Sequence, residues 1–186
     1  ILDNRNCILT APPILSVFEN TKVTLEFFHI VMDTFQHCAP NQKVFFDLHK
    51  VESITVDAII YLIALIKNTK KIRAYKIQCR GNMPDKAEVR KLIEQSGFYN
   101  HLHSVASHKQ LFYDKHNYLK ISSGRDADGK LAGTICDFTQ SLTNGNLLTT
   151  KRLYPMVVEL MTNTHQHAYT GENSVMNNFW YIFAQN

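Results

Sequence analysis

The chain has 186 residues, a formal net charge of +4 and 45% hydrophobic residues, enough for one large domain or two small ones with a real apolar core. So mild a charge, with Lys67–Arg73 as its densest basic stretch, argues against a nucleic-acid binder. No run approaches the roughly 18–20 apolar residues that a membrane-spanning helix requires. The four cysteines, Cys7, Cys38, Cys79 and Cys136, are scattered without a CxxC pair, which favours a reduced, cytoplasmic setting over a disulfide framework.

Strand and helix signals alternate through the first hundred residues. "CILTA" (Cys7–Ala11) is a short apolar run stopped by Pro12 and Pro13. Thr21–Cys38 spaces Val23, Phe27, Ile30, Val31 and Phe35 close to a helical period, with Pro40 just beyond. "KVFFDL" (Lys43–Leu48) reads as a buried strand, and Thr55–Thr69 as a very apolar helix built on "AIIYLIALI". "AYKIQCR" (Ala74–Arg80) reads as a further strand. In the helix expected next, Pro84 suits the first turn, Val89, Leu92 and Ile93 supply the apolar face, and Gly97 suits the position after the last turn. This spacing requires crossover connections, so a mainly parallel sheet covered by helices is expected.

From about His101 the pattern changes. "HLHSVASHKQ" is polar and histidine-rich, and a boundary is placed at residues 101–110. His101, His103 and His108 have no cysteine nearby, so they read as linker rather than as a zinc set. "SSGRDADGK" is turn-rich and flanked by "NYLKI" and "AGTICDF", which is compatible with a loose hairpin. The last helix sets Leu153, Val157, Leu160, Met161 and Ala168 on one face, and "YTGENS" turns the chain into a strand, "NFWYIFAQN". Beginning at Ile1 and stopping inside that strand, the chain reads as a fragment of a longer protein.

The last helix also carries Glu159, Asn163 and His167 four residues apart. Such residues lie about 40° apart around a helix and one turn along it. A carboxylate, an amide oxygen and an imidazole so aligned could hold a hydrated Mg²⁺, which prefers a few oxygen ligands plus substrate phosphates. By spacing alone, a solvated helix face offers the same stripe.

"ELMTNTHQHAY" resembles the N-box of GHKL-type ATPases, the Bergerat ATP-binding fold of histidine kinases and anti-sigma-factor serine kinases. The resemblance implies ATP and Mg²⁺ as cofactors, with Asn163 holding the metal against the phosphates. It further implies Glu159 as the catalytic base or water-orienting group, and His167 near the phosphates. Thr164 stands where that family usually has Ala. The family's Asp-x-Gly-x-Gly, which recognises adenine, and its Gly-rich lid do not occur in this chain.

A second resemblance covers roughly Lys43–Leu102. "VFFDLHKVESITVDAII" is similar to STAS domains, the fold of anti-sigma-factor antagonists, in which a strand ending Asp-Leu precedes Asp-Ser-Ser-Gly at a helix start. Thr55-Val56-Asp57-Ala58 occupies that place, so Asp57 stands where the family has its phosphorylated serine. Asp57 reads either as a helix N-terminal cap or as a built-in phosphate mimic; Ser53 and Thr55 are further candidate acceptors.

The expected fold class is α/β: a STAS-like sheet covered by helices over 1–104, then a linker or hairpin and the first part of a GHKL/Bergerat α/β sandwich over 105–186. The expected function is part of an Mg-ATP-binding regulatory protein, a protein serine/threonine kinase or ATPase with a fused STAS-like regulatory domain. A regulatory protein partner is expected and a homodimer is admitted; nucleic acid and membrane are not expected. The competing reading is a non-catalytic interaction module that uses the STAS-like surface around Ser53–Ala58.

Overall fold

In a computed structural model of the protein, residues 6–40, 42–72, 77–102, 104–105, 113–143, 147–167 and 179–186 are described. The chain divides into two compact units, Ile1–Tyr113 and Asp114–Asn186. Both mix helix and strand.

The first unit opens with β1 (Asn6–Thr10), the two-residue β2 (Ile14–Leu15) and α1 (Thr21–His37). Next come β3 (Lys43–Asp47), the short β4 (Ser53–Ile54) and α2 (Val56–Ile72). β5 (Gln78–Gly81), α3 (Ala87–Ser96), a 3₁₀ turn (Phe98–His101) and β6 (Ser104–Val105) complete it. β1, β3, β5 and β6 lie side by side in that order, all parallel, as the crossover spacing requires. β2 and β4 form a separate parallel pair.

The pleat sorts the sheet into two faces. Cys7, Val44 and Cys79 are in register, as are Leu9, Phe46 and Gly81; apart from half-buried Cys7, all are buried. α1 covers this face, with Phe35 edge-on to Phe46 and Phe28 stacked on Tyr61 of α2. At α2 burial runs almost round the helix, through Ala58, Ile59, Leu62, Ile63, Ala64, Leu65 and Ile66. Such a helix is interior rather than amphipathic, which explains the unbroken apolar run. Ser16 and Thr24, both buried, satisfy each other: the Thr24 hydroxyl accepts from Ser16 N and donates to Ser16 O.

α3 starts at Ala87, so Pro84 lies in the preceding turn rather than in the first helical turn. There the Pro84 carbonyl accepts from Arg90 Nε at 3.0 Å, and Asp85 N donates to His49 O. Gly97 ends α3 at φ 81°, the left-handed conformation that glycine adopts without a Cβ clash. The expected strand over 74–80 begins, within the described residues, at Gln78; residues 74–76 lie outside them.

The second unit contains β7 (Tyr118–Gly124), α4 (Gly129–Leu142), α5 (Leu147–His167) and β8 (Trp180–Gln185). β7 and β8 are antiparallel, with a register shift between Leu119 and Ser122. The expected hairpin between "NYLKI" and "AGTICDF" is not formed: the second segment lies within α4, and the partner of β7 is β8, far along the chain. The reason is local. Asp128 Oδ1 accepts from Leu131 N at 2.9 Å and caps a helix whose Ala132, Ile135, Cys136 and Phe138 are buried. Ala132, Ile135, Val157, Met161 and Trp180 form the core of this unit. Asp128 N donates to Met161 Sδ, and Trp180 Nε1 donates to Asp126 O at 2.9 Å.

Candidate functional site

α5 owes its orientation to Val157 and Met161, buried against Ala132, Ile135 and Trp180. Helical geometry puts Glu159 and Asn163 about 200° away from Val157 and Met161. Both are exposed, one turn apart on the outer side of the helix. His167 is the last residue of α5. Its side chain lies outside the described residues, as does Ala168. Thr164 turns its hydroxyl back to the Leu160 carbonyl at 2.9 Å, which is how a threonine is accommodated at this position.

The stripe is not purely polar. Met156 is 58% exposed and Leu160, expected on the buried face, is 64% exposed. On the helix they fall within about 60° of Asn163, so two acid and amide side chains are interleaved with two large apolar ones. The spacing of Leu160 from Val157 and Met161 is near-helical, but its angle carries it past the edge of the core.

In the other unit, Ser53, Thr55 and Asp57 are all half-buried at the start of α2. Asp57 lies in the first turn, where a carboxylate is favoured by the helix dipole. Its Oδ2 accepts from Val17 N at 3.1 Å, so the carboxylate ties the loop after β2 to α2. Thr55 also faces that loop: its backbone N and hydroxyl both donate to Leu15 O, at 3.0 and 3.3 Å. Phe18, the residue after Val17, is 84% exposed.

No family model, curated protein or solved structure matches the chain. The candidate residues therefore rest on their geometry and on the resemblances of their motifs. Among the described residues no group of three or more His, Cys, Asp or Glu side chains could hold a metal ion. His103 and His108 lie outside the described residues. His101 is half-buried in the 3₁₀ turn, and burial together with the nearby Lys67 charge brings its pKa down to about 4. In the basic stretch, Lys67 is half-buried and Asn68 buried, and burial lowers the Lys67 pKa.

A polar network at the carboxyl ends of β3 and β5 escaped sequence reasoning. Asn82 Oδ1 accepts from Leu48 N, and Asn82 Nδ2 donates to Asp47 Oδ1, both at 2.6 Å. His49 Nδ1 lies 2.7 Å from the same carboxylate oxygen. Burial works to raise the Asp47 carboxyl, but the hydrogen bonds from Asn82 and His49 outweigh it and hold the group below the usual carboxylate range. With Asp47 ionised, His49 Nδ1 is the donor in this contact. Only the motif "DLH" hinted at this; Asn82 is 35 residues away in sequence.

Proposed function

We propose that α5 is one wall of an Mg-ATP site, and that the chain is part of a regulatory protein serine/threonine kinase or ATPase of the GHKL type. In this reading Asn163 holds Mg²⁺ against the phosphates, Glu159 is the base or water-orienting carboxylate, and His167 lies near the phosphates. Catalysis would rest on positioning and electrostatic stabilisation of the transferred phosphoryl group. The observation that carries the reading is the outer side of α5, where Glu159 and Asn163 stand exposed one turn apart, beside the exposed Met156 and Leu160. A partial Bergerat sandwich in the second unit and a STAS-like fold in the first are the corresponding proposals for the architecture. The STAS-like unit would act as an internal regulator or docking surface, in a protein that works in the cytoplasm.

The 186 residues contain no Asp-x-Gly-x-Gly for adenine recognition. Alone, the chain should show no thermal shift with Mg-ATP; joined to a segment that carries that motif, it should bind, and Asn163→Ala should abolish binding without unfolding. A clear Mg-ATP shift of the 186-residue chain, or unchanged affinity in the Asn163→Ala variant, would count against the reading.

A second reading is favoured by Phe18. A phenylalanine 84% exposed, next to the residue that Asp57 holds, suits a protein-interaction surface around Ser53–Ala58. Substitution Phe18→Ser should then weaken capture of a protein partner while leaving the melting temperature unchanged. Loss of stability instead would make Phe18 a packing residue.

A further inference from the structure

β1 is the outermost strand of the parallel sheet: β3 lies on one side of it, and among the described residues no strand pairs with the other side. Sheet edges are normally protected by charge, by proline or by a bulge, because an open edge pairs with any strand that fits. The strand "NCILT" has none of these; Pro12 and Pro13 come only after it has ended. Ala11 fixes the phase of its hydrogen bonds, since Ala11 N donates to Asp47 O of β3 at 3.0 Å. Backbone groups alternate sides along a strand. Cys7 and Leu9 therefore bond to β3 as Ala11 does, and the N–H and C=O groups of Ile8 and Thr10 point to the open edge. The Ile8 side chain is 60% exposed, on the sheet face opposite α1 and in register with Phe45.

We propose that β1 pairs with β1 of a second copy of this chain, antiparallel across a two-fold axis at Ile8, so that two four-stranded sheets join edge to edge. The occupant of a sheet edge is a strand, which alone supplies a matching row of donors and acceptors. β1 itself fits in phase, charge and shape. With Ile8 opposite the second copy's Ile8, the two residues exchange both backbone bonds, and Thr10 stands opposite Asn6. A centre at Asn6 or Thr10 would pair fewer of the five residues. β1 carries no charge, so the axis brings no like charges face to face within it. One strand further out, Lys43 beside Asn6 shares a row with the second copy's Asp47 beside Thr10, so the ends are complementary in sign. The apolar row Phe45–Ile8 continues through the axis into its own copy, which covers the exposed Ile8. Strands of five residues bury less than the roughly 1,200 Å² of a standard interface, so the dimer is weak and concentration-dependent. The interface is independent of α5 and of the Mg-ATP reading.

Sedimentation velocity of the whole chain from micromolar to millimolar concentration should show monomer giving way to dimer. Amide hydrogen exchange by NMR reads the geometry without any substitution. Leu9, bonded to β3, should be protected at every concentration, and Ile8 should slow about tenfold once about nine-tenths of the chain is dimeric. Ile8→Lys and Ile8→Glu should each stay monomeric and folded by circular dichroism. Mixed in equal amounts, the two should associate again, because opposite charges then meet at the axis. A chain that is monomeric at millimolar concentration overturns the proposal, and if it then takes up an added extended peptide at Ile8 the edge belongs to a foreign strand. A dimer that survives Ile8→Lys, an Ile8 exchange rate indifferent to concentration, or mixed variants that stay apart overturns it equally.

Discussion

Gly124 pairs with Trp180 across the β7–β8 ladder, and a methyl group placed there has nowhere to go. A Cβ at this position would come closer than 3.0 Å to Cζ2 of Trp180 and lie 3.0 Å from Cε2 and Cη2. The indole cannot simply step aside. It is 5% exposed, packs in the cluster with Ala132, Ile135, Val157 and Met161, and donates from Nε1 to Asp126 O. Gly124→Ala therefore forces either the strands apart or the ring out of the core. Overpacking of this kind costs about 1–3 kcal/mol, and loss of the indole hydrogen bond adds about 1 kcal/mol. A total of about 2–4 kcal/mol is a large part of what a small unit has. With a urea slope of about 1 kcal/mol per molar, the midpoint should fall by about 2 M or more. Trp180 is the sole tryptophan, so its fluorescence reports on this unit alone. The contrast is Gly133→Ala, inside α4 with nothing within 4 Å of its Cβ; it should stabilise by about 0.5–1 kcal/mol. A Gly124→Ala protein with unshifted emission and a midpoint equal to that of the parent would refute the packing described for Trp180.

Three further outcomes are expected. Phe46→Ala removes a fully buried ring beside Phe35 and should destabilise the first unit by about 3–5 kcal/mol in chemical denaturation followed by far-UV circular dichroism. His101 has its folded pKa depressed to about 4 from 6.5, so the unfolded chain takes up its proton first as pH falls. Its contribution is intact above about pH 6.5 and lost progressively down to pH 4; His101→Gln should flatten the slope of stability against pH in that window. The Cys79 thiol, buried and beside Cys38, is pushed up to about 12 and should resist alkylation at pH 8 in the folded protein, while half-buried Cys7 reacts first, as peptide mass spectrometry would show.

Much of the first unit was legible because its signals are local and agree with one another. The β1, α1, β3 and α2 segments were readable from apolar runs bounded by prolines and polar turns, and the parallel order followed from the lengths of the crossovers. Gly97 was legible because a left-handed residue after a helix has one cheap solution. The failures have equally specific causes. "AGTICDF" has enough β-branched and aromatic character to pass for a strand, and the cap by Asp128 that makes it a helix depends on a single side-chain hydrogen bond. β7 finds its partner in β8, across two helices, and pairings at such separation leave no local trace. The Asp47–His49–Asn82 network joins two strand ends through side chains. At the candidate site, the polar stripe of α5 was legible from its spacing. The exposure of Met156 and Leu160 beside it was not, because it depends on where the core of the second unit ends.

The most direct measurement is calorimetric titration of Mg-ATP into the chain joined to an Asp-x-Gly-x-Gly segment, with and without Asn163→Ala, at matched folding by circular dichroism. As an exposed residue, Asn163 should change stability by no more than about 0.5 kcal/mol on substitution, so any loss of binding reports on the site itself. Binding that requires Mg²⁺ and disappears in the Asn163→Ala protein is the predicted result. Binding that is equal in both proteins, or indifferent to Mg²⁺, would contradict the metal role of Asn163 and with it the reading of α5 as a nucleotide wall.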